Sequence, residues 1–265
     1  MPSAQAAPCP DAEVIFARGT TEEPGAGPTG DAFVDSLRMQ VAGKSVGLYG
    51  VDYPATTEFS TAVDGIADAR AHILATAASC PKTKIVLGGF SQGAAVMGFV
   101  TANAVPDGVS AADVPAPMPP EVADHIVAVA LFGKPSTRFM RAINDPSITI
   151  GPQYQAKTID LCVDNDLVCD SHGSSFAAHN TYVDTGMVEQ AAGFVASQLQ
   201  ASWAADALEP PSTTAAPPPL PAAATSPLAA SAPPAAPSPH LPSSPVTAPG
   251  PVTPVAPAPP VWPTD

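Results

Sequence analysis

The segment Gly89-Phe90-Ser91-Gln92-Gly93 places a serine between two glycines, each two residues away. Read with its flanks, it is a candidate nucleophile on a strand-to-helix turn. The apolar run Ile85-Val86-Leu87 comes before it and the small-residue run Ala94-Ala95-Val96-Met97 follows. A turn that tight leaves no room for a β-carbon two residues before or after the serine, so glycine is required at both places. The hydroxyl would then stand at the start of a helix, where free N–H groups and the macrodipole favour developing negative charge.

A serine hydroxyl is a weak nucleophile at neutral pH and needs a base that is itself oriented by an acid. On a strand–turn–helix elbow the chain order is serine, acid, histidine. The five histidines are His72, His125, His172, His179 and His240. The first two come too early or fall in core elements, and the last lies in a proline-rich tail. His172 and His179 remain as bases. Asp160, Asp164, Asp166 and Asp170 remain as acids on the loop after the fifth strand, and spacing alone does not choose among them.

The elements that must hold these groups alternate. Apolar strands are expected at 13–18, 45–53, 84–88, 125–132 and 157–162, with amphipathic helices at 31–41, 61–78, 92–102 and 187–199. Continuously apolar strands separated by helices imply a parallel sheet covered on both faces, a three-layer α/β/α fold with a central five-stranded parallel sheet. Residues 103–124 carry five prolines and form a long loop, of a length that is often functional or mobile.

Composition limits the partners. The 265 residues include 10 Lys+Arg and 24 Asp+Glu, a net charge of −14 that disfavours nucleic acid and anionic bilayers. Apolar residues make up 45% of the chain, enough for a core, and no apolar run is long enough to span a membrane. Residues 208–265 hold 20 of the 35 prolines and two charged side chains, Glu209 and Asp265. This Pro/Ala-rich tail is expected to be disordered or semi-stiff; its composition supports a linker, with a wall-associated stalk or sugar attachment as a second reading. Residues 1–8 read as a signal-peptide remnant or a disordered N-terminus, because Ala4-Gln5-Ala6-Ala7 resembles the end of a secretory signal. The expected folded domain is therefore 9–207.

Cys9, Cys80, Cys162 and Cys169 allow three pairings. Cys162 and Cys169 most easily close a local loop, which leaves Cys9 with Cys80. Disulfides would fit secretion into an oxidising compartment. With the thiols committed and the histidines scattered, no metal is expected, and no phosphate-cradling loop implies a cofactor.

Four ordered segments resemble the cutinase family of serine esterases, especially its secreted actinobacterial members. They are Ala17-Arg18-Gly19-Thr20-Thr21-Glu22, Gly89-Phe90-Ser91-Gln92-Gly93, Cys162-x-x-x-Asp166-x-Val168-Cys169, and Ala178-His179 followed by Tyr182. The resemblance covers about residues 9–200. It implies a small α/β-hydrolase-like domain without a large lid, Ser91 as nucleophile, His179 as base and Asp166 as orienting acid. It also implies an oxyanion hole from Thr20 and the Gln92 N–H, and the bridges Cys9–Cys80 and Cys162–Cys169. The implied activity is hydrolysis of carboxylic esters, fatty-acyl, lipid or polyester, by a monomer without cofactor. A phospholipase, thioesterase or acyltransferase would use the same groups, and a non-catalytic cell-envelope binder is the contrasting class. Three features depart from the family pattern: Asn165 stands where glycine often precedes the acid, Asn180 where fungal relatives carry an apolar residue after the histidine, and residues 103–120 are longer than the fungal equivalents and are expected to border the substrate groove and partly cover it.

Overall fold

A computed structural model describes residues 8–208. The expectations for the 1–8 and 208–265 segments lie outside the described residues, apart from Pro8 and Leu208. Five parallel strands, β1 (Ala12–Ala17), β2 (Val46–Gly50), β3 (Lys84–Phe90), β4 (Ile126–Phe132) and β5 (Thr158–Leu161), form one sheet in the order β2-β1-β3-β4-β5. The helices are α1 (Gly27–Gln40), α2 (Ala62–Ser79), α3 (Gln92–Val100), α4 (Thr137–Ala142), α5 (Pro152–Gln155) and α6 (Met187–Leu208).

Successive strand residues point to opposite faces, and both faces here are apolar. Val14, Phe16, Val86, Ala128, Ala130 and Phe132 pack with Phe33 and Leu37 of α1 and Val188, Ala192, Val195 and Leu199 of α6. Ile15, Ala17, Ile85, Leu87, Val129 and Leu131 pack with Ala69 and Ile73 of α2 and Val96, Met97 and Val100 of α3. The three-layer arrangement is thus fixed by strands that bury both sides. Helix α1 begins earlier than its periodicity suggests because Pro28 sits in its first turn, where a missing N–H costs nothing. Helix α6 runs past the expected end at Leu199 to Leu208. The short α4 and α5 span too few residues to show a period. They start from local signals instead: the Ser136 hydroxyl accepts the Phe139 N–H, and Pro152 opens α5.

The strand order reverses direction after β2, so β1 and β3 are neighbours whose following connections leave on opposite faces of the sheet. In parallel sheets the crevice at that switch point, on the carboxyl edge, is where ligands bind. Thr20 follows β1 and Ser91 follows β3, so the topology brings both to this crevice.

The expected groove-covering role of 103–120 is not supported. Helix α3 starts at the carboxyl edge and returns to the amino edge, where β4 starts, so both ends of this loop are anchored far from Ser91. Met118, Val122 and Ala123 pack under the α2/α3 layer, and Lys157, just before β5, donates to the Ala123 carbonyl at 2.6 Å.

Candidate active site

Ser91 sits at φ 55°, ψ −118°, in the left-handed half of backbone space that a side chain rarely adopts. Its N–H donates to Phe132 O of the neighbouring strand at 2.9 Å, which anchors the turn. A β-carbon on Gly89 would run into the Gly93 carbonyl, and one on Gly93 would strike the Ala17 and Arg18 carbonyls. The glycine spacing is therefore a packing requirement, and the second contact seats the 17–22 loop against the elbow.

The candidate acids and bases differ in burial and in contacts. His172 is exposed and neighbours Asp170 at 4.0 Å; Asp160 is exposed and pairs with Lys134 at 3.2 Å; Asp164 is exposed. Asp166 and His179 are buried together: Nδ1 of His179 lies 2.7 Å from Asp166 Oδ2, and Nε2 lies 2.7 Å from Ser91 Oγ. An ionised carboxylate only accepts hydrogen bonds. Nδ1 therefore carries the proton, and Nε2 is left to accept the Ser91 hydroxyl.

The carboxylate has 0% exposure. Burial alone would favour its neutral form, but donors from His179, the Tyr182 hydroxyl and the Val168 N–H outweigh this and hold it below the usual carboxylate range. The Val168 N–H and Tyr182 hydroxyl each donate at 2.7 Å, to Oδ1 and Oδ2 respectively. Around the acid the chain turns tightly. Cys162 and Cys169 are bridged, Gly173 leaves no room for a β-carbon against the Asp166 carbonyl, and Asn165 lies at φ 64°. Asparagine tolerates that conformation better than most residues. Its side-chain oxygen accepts the Ser174 N–H and hydroxyl at 3.0 Å each, so the departure from glycine is locally compensated. Cys9 and Cys80 are also bridged.

The imidazole is held by rings as well. Phe90 stacks on it at 5.0 Å between centroids, and the half-exposed Phe176 lies 5.6 Å away on the solvent side. Gly133, at φ 58°, backs it: a β-carbon there would come within 2.8 Å of His179 Cε1 and 3.0 Å of the Tyr182 hydroxyl.

On the other flank, Thr20 follows Arg18, a buried guanidinium that donates to the carbonyls of Glu22, Val51 and Tyr53. The Glu22 carboxylate accepts the Gly19 N–H at 2.6 Å; burial nevertheless pushes its carboxyl up from the usual range. Thr21 donates to the Ala55 carbonyl at 2.6 Å, and the Gln92 side chain donates to the Thr56 carbonyl at 3.0 Å. The 51–56 segment thereby ties the loop after β1 to the first turn of α3. Among the described residues, neither the Thr20 nor the Gln92 backbone N–H donates to a protein acceptor. Two donors are thus left free beside the elbow.

Sequence reasoning singled out Ser91 and narrowed the candidates around it, but it did not assign roles to Tyr182, Gly133, Arg18 or the Gln92 side chain. Arg18 and Tyr182 stood inside segments already singled out. Gly133, immediately after β4, carried only the signal of a glycine at a strand end. Cys162, Asp166 and Cys169 cluster as three would-be metal ligands, but both sulfurs are consumed in a disulfide.

The cutinase family model matches residues 8–199. The chain is 62% identical over 167 residues to the probable carboxylesterase Culp5 of Mycobacterium tuberculosis, covering 63% of this chain and 95% of that protein. It is 50% identical over 191 residues to the phospholipase Culp4 of the same organism, covering 72% and 80%. Among solved structures, Trichoderma reesei cutinase in complex with a C11Y4 phosphonate inhibitor is 31% identical, with a TM-score of 0.55 over 72% of this chain and 78% of that one. A match of that extent, to sequences and to a fold alike, makes this chain a carboxylic ester hydrolase belonging to the cutinase family.

Proposed function

We propose that Ser91, His179 and Asp166 carry the ester hydrolysis, with Thr20 and Gln92 as the oxyanion donors. The observation that carries this is the continuous hydrogen-bonded chain from Asp166 Oδ2 through both imidazole nitrogens to Ser91 Oγ, each contact 2.7 Å long. As Oγ attacks the ester carbonyl carbon, its proton passes to His179 Nε2. The carbonyl oxygen gains negative charge and is met by the Gln92 N–H and by Thr20. Collapse of the tetrahedral adduct breaks the bond to the alcohol, which leaves with the proton from Nε2. Water then attacks the acyl-enzyme with His179 again as base, releasing the acid and restoring the hydroxyl. Asp166 remains ionised throughout, fixing the tautomer and stabilising the imidazolium. Each oxyanion donor is worth about 100- to 1000-fold in turnover.

Fatty-acyl and lipid esters fit the site's rim, where Phe176 exposes an apolar side chain beside His179. A phospholipase reading is kept alongside because a relative at 50% identity carries that name. The two bridges support secretion, and the 9–207 segment is proposed as the catalytic unit, acting as a monomer without metal or cofactor. Wall association through the 208–265 tail is proposed on composition. The test is Ser91→Ala, which removes the nucleophile without filling space. Loss of all ester turnover, with unfolding unchanged and with wild-type protein labelled at Ser91 by an alkyl phosphonate, is the expected result. Wild-type rates in the variant would overturn the assignment, and an unlabelled, folded wild type would favour a non-catalytic binder.

A further inference from the structure

Tyr182 is 1% exposed and its ring fills space between Phe90, Phe132 and His179. Packing explains an aromatic ring at this position but leaves its hydroxyl unexplained. That oxygen accepts the Val163 N–H at 3.2 Å, lies 3.1 Å from Cys169 Sγ, and donates to Asp166 Oδ2 at 2.7 Å. Oδ2 is the oxygen that also receives the His179 Nδ1–H. We propose that Tyr182 is a positioning residue of the ester-cleaving site, its hydroxyl fixing the Asp166 carboxylate against the disulfide loop and moderating that carboxylate's pull on the imidazolium. The inference rests on the roles proposed above for Ser91, His179 and Asp166.

The physical argument has two parts. A carboxylate with no access to water must have its lone pairs satisfied by protein donors, and removing one leaves part of its charge uncompensated. Here the donors are the Val168 N–H, His179 and Tyr182, so Tyr182 supplies one of three. Second, two donors on one oxygen compete for the same negative charge. The stronger the Tyr182 bond, the less charge is left for the imidazolium that forms when Ser91 attacks. The phenol remains a donor at every working pH, because burial and the adjacent Asp166 charge hold it far above the usual phenol range. The other charged groups whose fields reach this cluster are Asp160, toward Tyr182, and Glu22, toward His179. Both are unchanged by a substitution at 182.

The experiment replaces Tyr182 in two opposite senses in the full chain and follows kcat/KM against pH on a soluble short-chain ester. Tyr182→Phe keeps the ring and deletes the donor. The carboxylate then attracts the imidazolium proton more strongly, and the acid limb moves to higher pH by about 0.5–1 unit, a 3- to 10-fold extra loss below the limb. Site-specific 3-fluorotyrosine at 182 keeps the fold contacts and strengthens the donor, so the limb moves to lower pH. A role confined to packing would lower thermal stability in Tyr182→Phe and leave the limb in place in both proteins. A limb that stays put or rises in the fluorotyrosine protein overturns the proposal, and that protein decides the matter if Tyr182→Phe fails to fold. Phosphonate labelling of wild-type Ser91 separates the two readings: labelling with an immobile limb removes only the role of Tyr182, whereas no labelling removes the site assignment itself.

Discussion

Gly133→Ala adds one methyl group behind the imidazole, and the structure allows its effect to be worked out. Two costs combine. The backbone there lies at φ 58°, which for alanine costs about 1–2 kcal/mol in stability. The new β-carbon would also stand 2.8 Å from His179 Cε1 and 3.0 Å from the Tyr182 hydroxyl. Carbon atoms pack at roughly 3.5–4.0 Å, so the ring must retreat by something near 1 Å or the β4 turn must shift. A displacement of that size at a reacting group costs on the order of 100-fold in rate. The expected result is a fall in kcat of about 10- to 100-fold with little change in KM. The denaturant midpoint should fall by an amount corresponding to at least the backbone term. Gly43→Ala is the matched control: it has φ 89° and nothing within 4 Å of the added carbon, so it bears the backbone cost alone and should lose stability with full activity. If Gly133→Ala turned over ester within twofold of wild type, the imidazole would not be held where this reasoning needs it.

Asp166→Asn should retain the fold yet lower kcat by about 10³- to 10⁴-fold, since an amide at that position can stabilise the wrong imidazole tautomer and carries no charge for the imidazolium; kinetics and thermal unfolding on the same sample check this. Breaking the Cys162–Cys169 bridge with paired serines should cost about 2–3 kcal/mol, and activity should be lost on heating before the far-ultraviolet signal, because the released loop is the one that carries Asp166. Asp11 gives the pH prediction. The Ser45 N–H, then Lys44 and the Ser45 hydroxyl, draw its carboxyl down to about 2. A depressed folded value means stability that is complete above the unfolded value of about 4 and disappears as pH falls toward 2. Asp11→Asn should therefore be less stable than wild type at pH 6, with the gap between their urea midpoints closing by pH 2.

The proposed nucleophile was legible in the sequence because its requirements are local. Gly89 and Gly93 collide with carbonyls within or beside the elbow itself, and the flanking strand and helix carry their own periodicity. The acid was not legible from spacing. Three aspartates follow the fifth strand closely, and a fourth, Asp160, lies within it. What separates Asp166 from Asp164 or Asp170 is the turn of the bridged loop, which buries the first and leaves the second in solvent; only the resemblance to a family pointed to it. Tyr182 and Gly133 meet His179 across 3 and 46 positions of the chain respectively; the family resemblance marked Tyr182 without giving it a role, and no pattern around Gly133 announces it. The 103–124 loop is a different case. In a parallel sheet, whatever joins a helix to the next strand lies at the amino edge, so its distance from Ser91 follows from the same alternation of elements that identified the fold.

Backbone strain is distributed unevenly, and its distribution bears on how the site is held. Among the described residues, five other than glycine have positive φ: Thr21, Ala55, Ser91, Asn144 and Asn165. Thr21, Ser91 and Asn165 lie in the loops that carry the proposed oxyanion donors, nucleophile and acid, and Ala55 lies in the 51–56 segment that braces the first of them. Each costs on the order of 1–2 kcal/mol, a large sum against the stability of an ordinary domain. The cost is tolerated because each conformation is locked by a bond that the relaxed chain would lose. Thr21 donates to Ala55, Ser91 donates to Phe132, and Asn165 accepts from Ser174. The buried Arg18, with its three carbonyl acceptors, then ties the first of these loops to the 51–53 segment. The proposed oxyanion donors, fixed in this way, need not reorganise when charge develops on a substrate oxygen, and such preorganisation is a source of electrostatic catalysis. Closure is one way to order catalytic groups, and here the strained, cross-braced loops have ordered them before any substrate arrives.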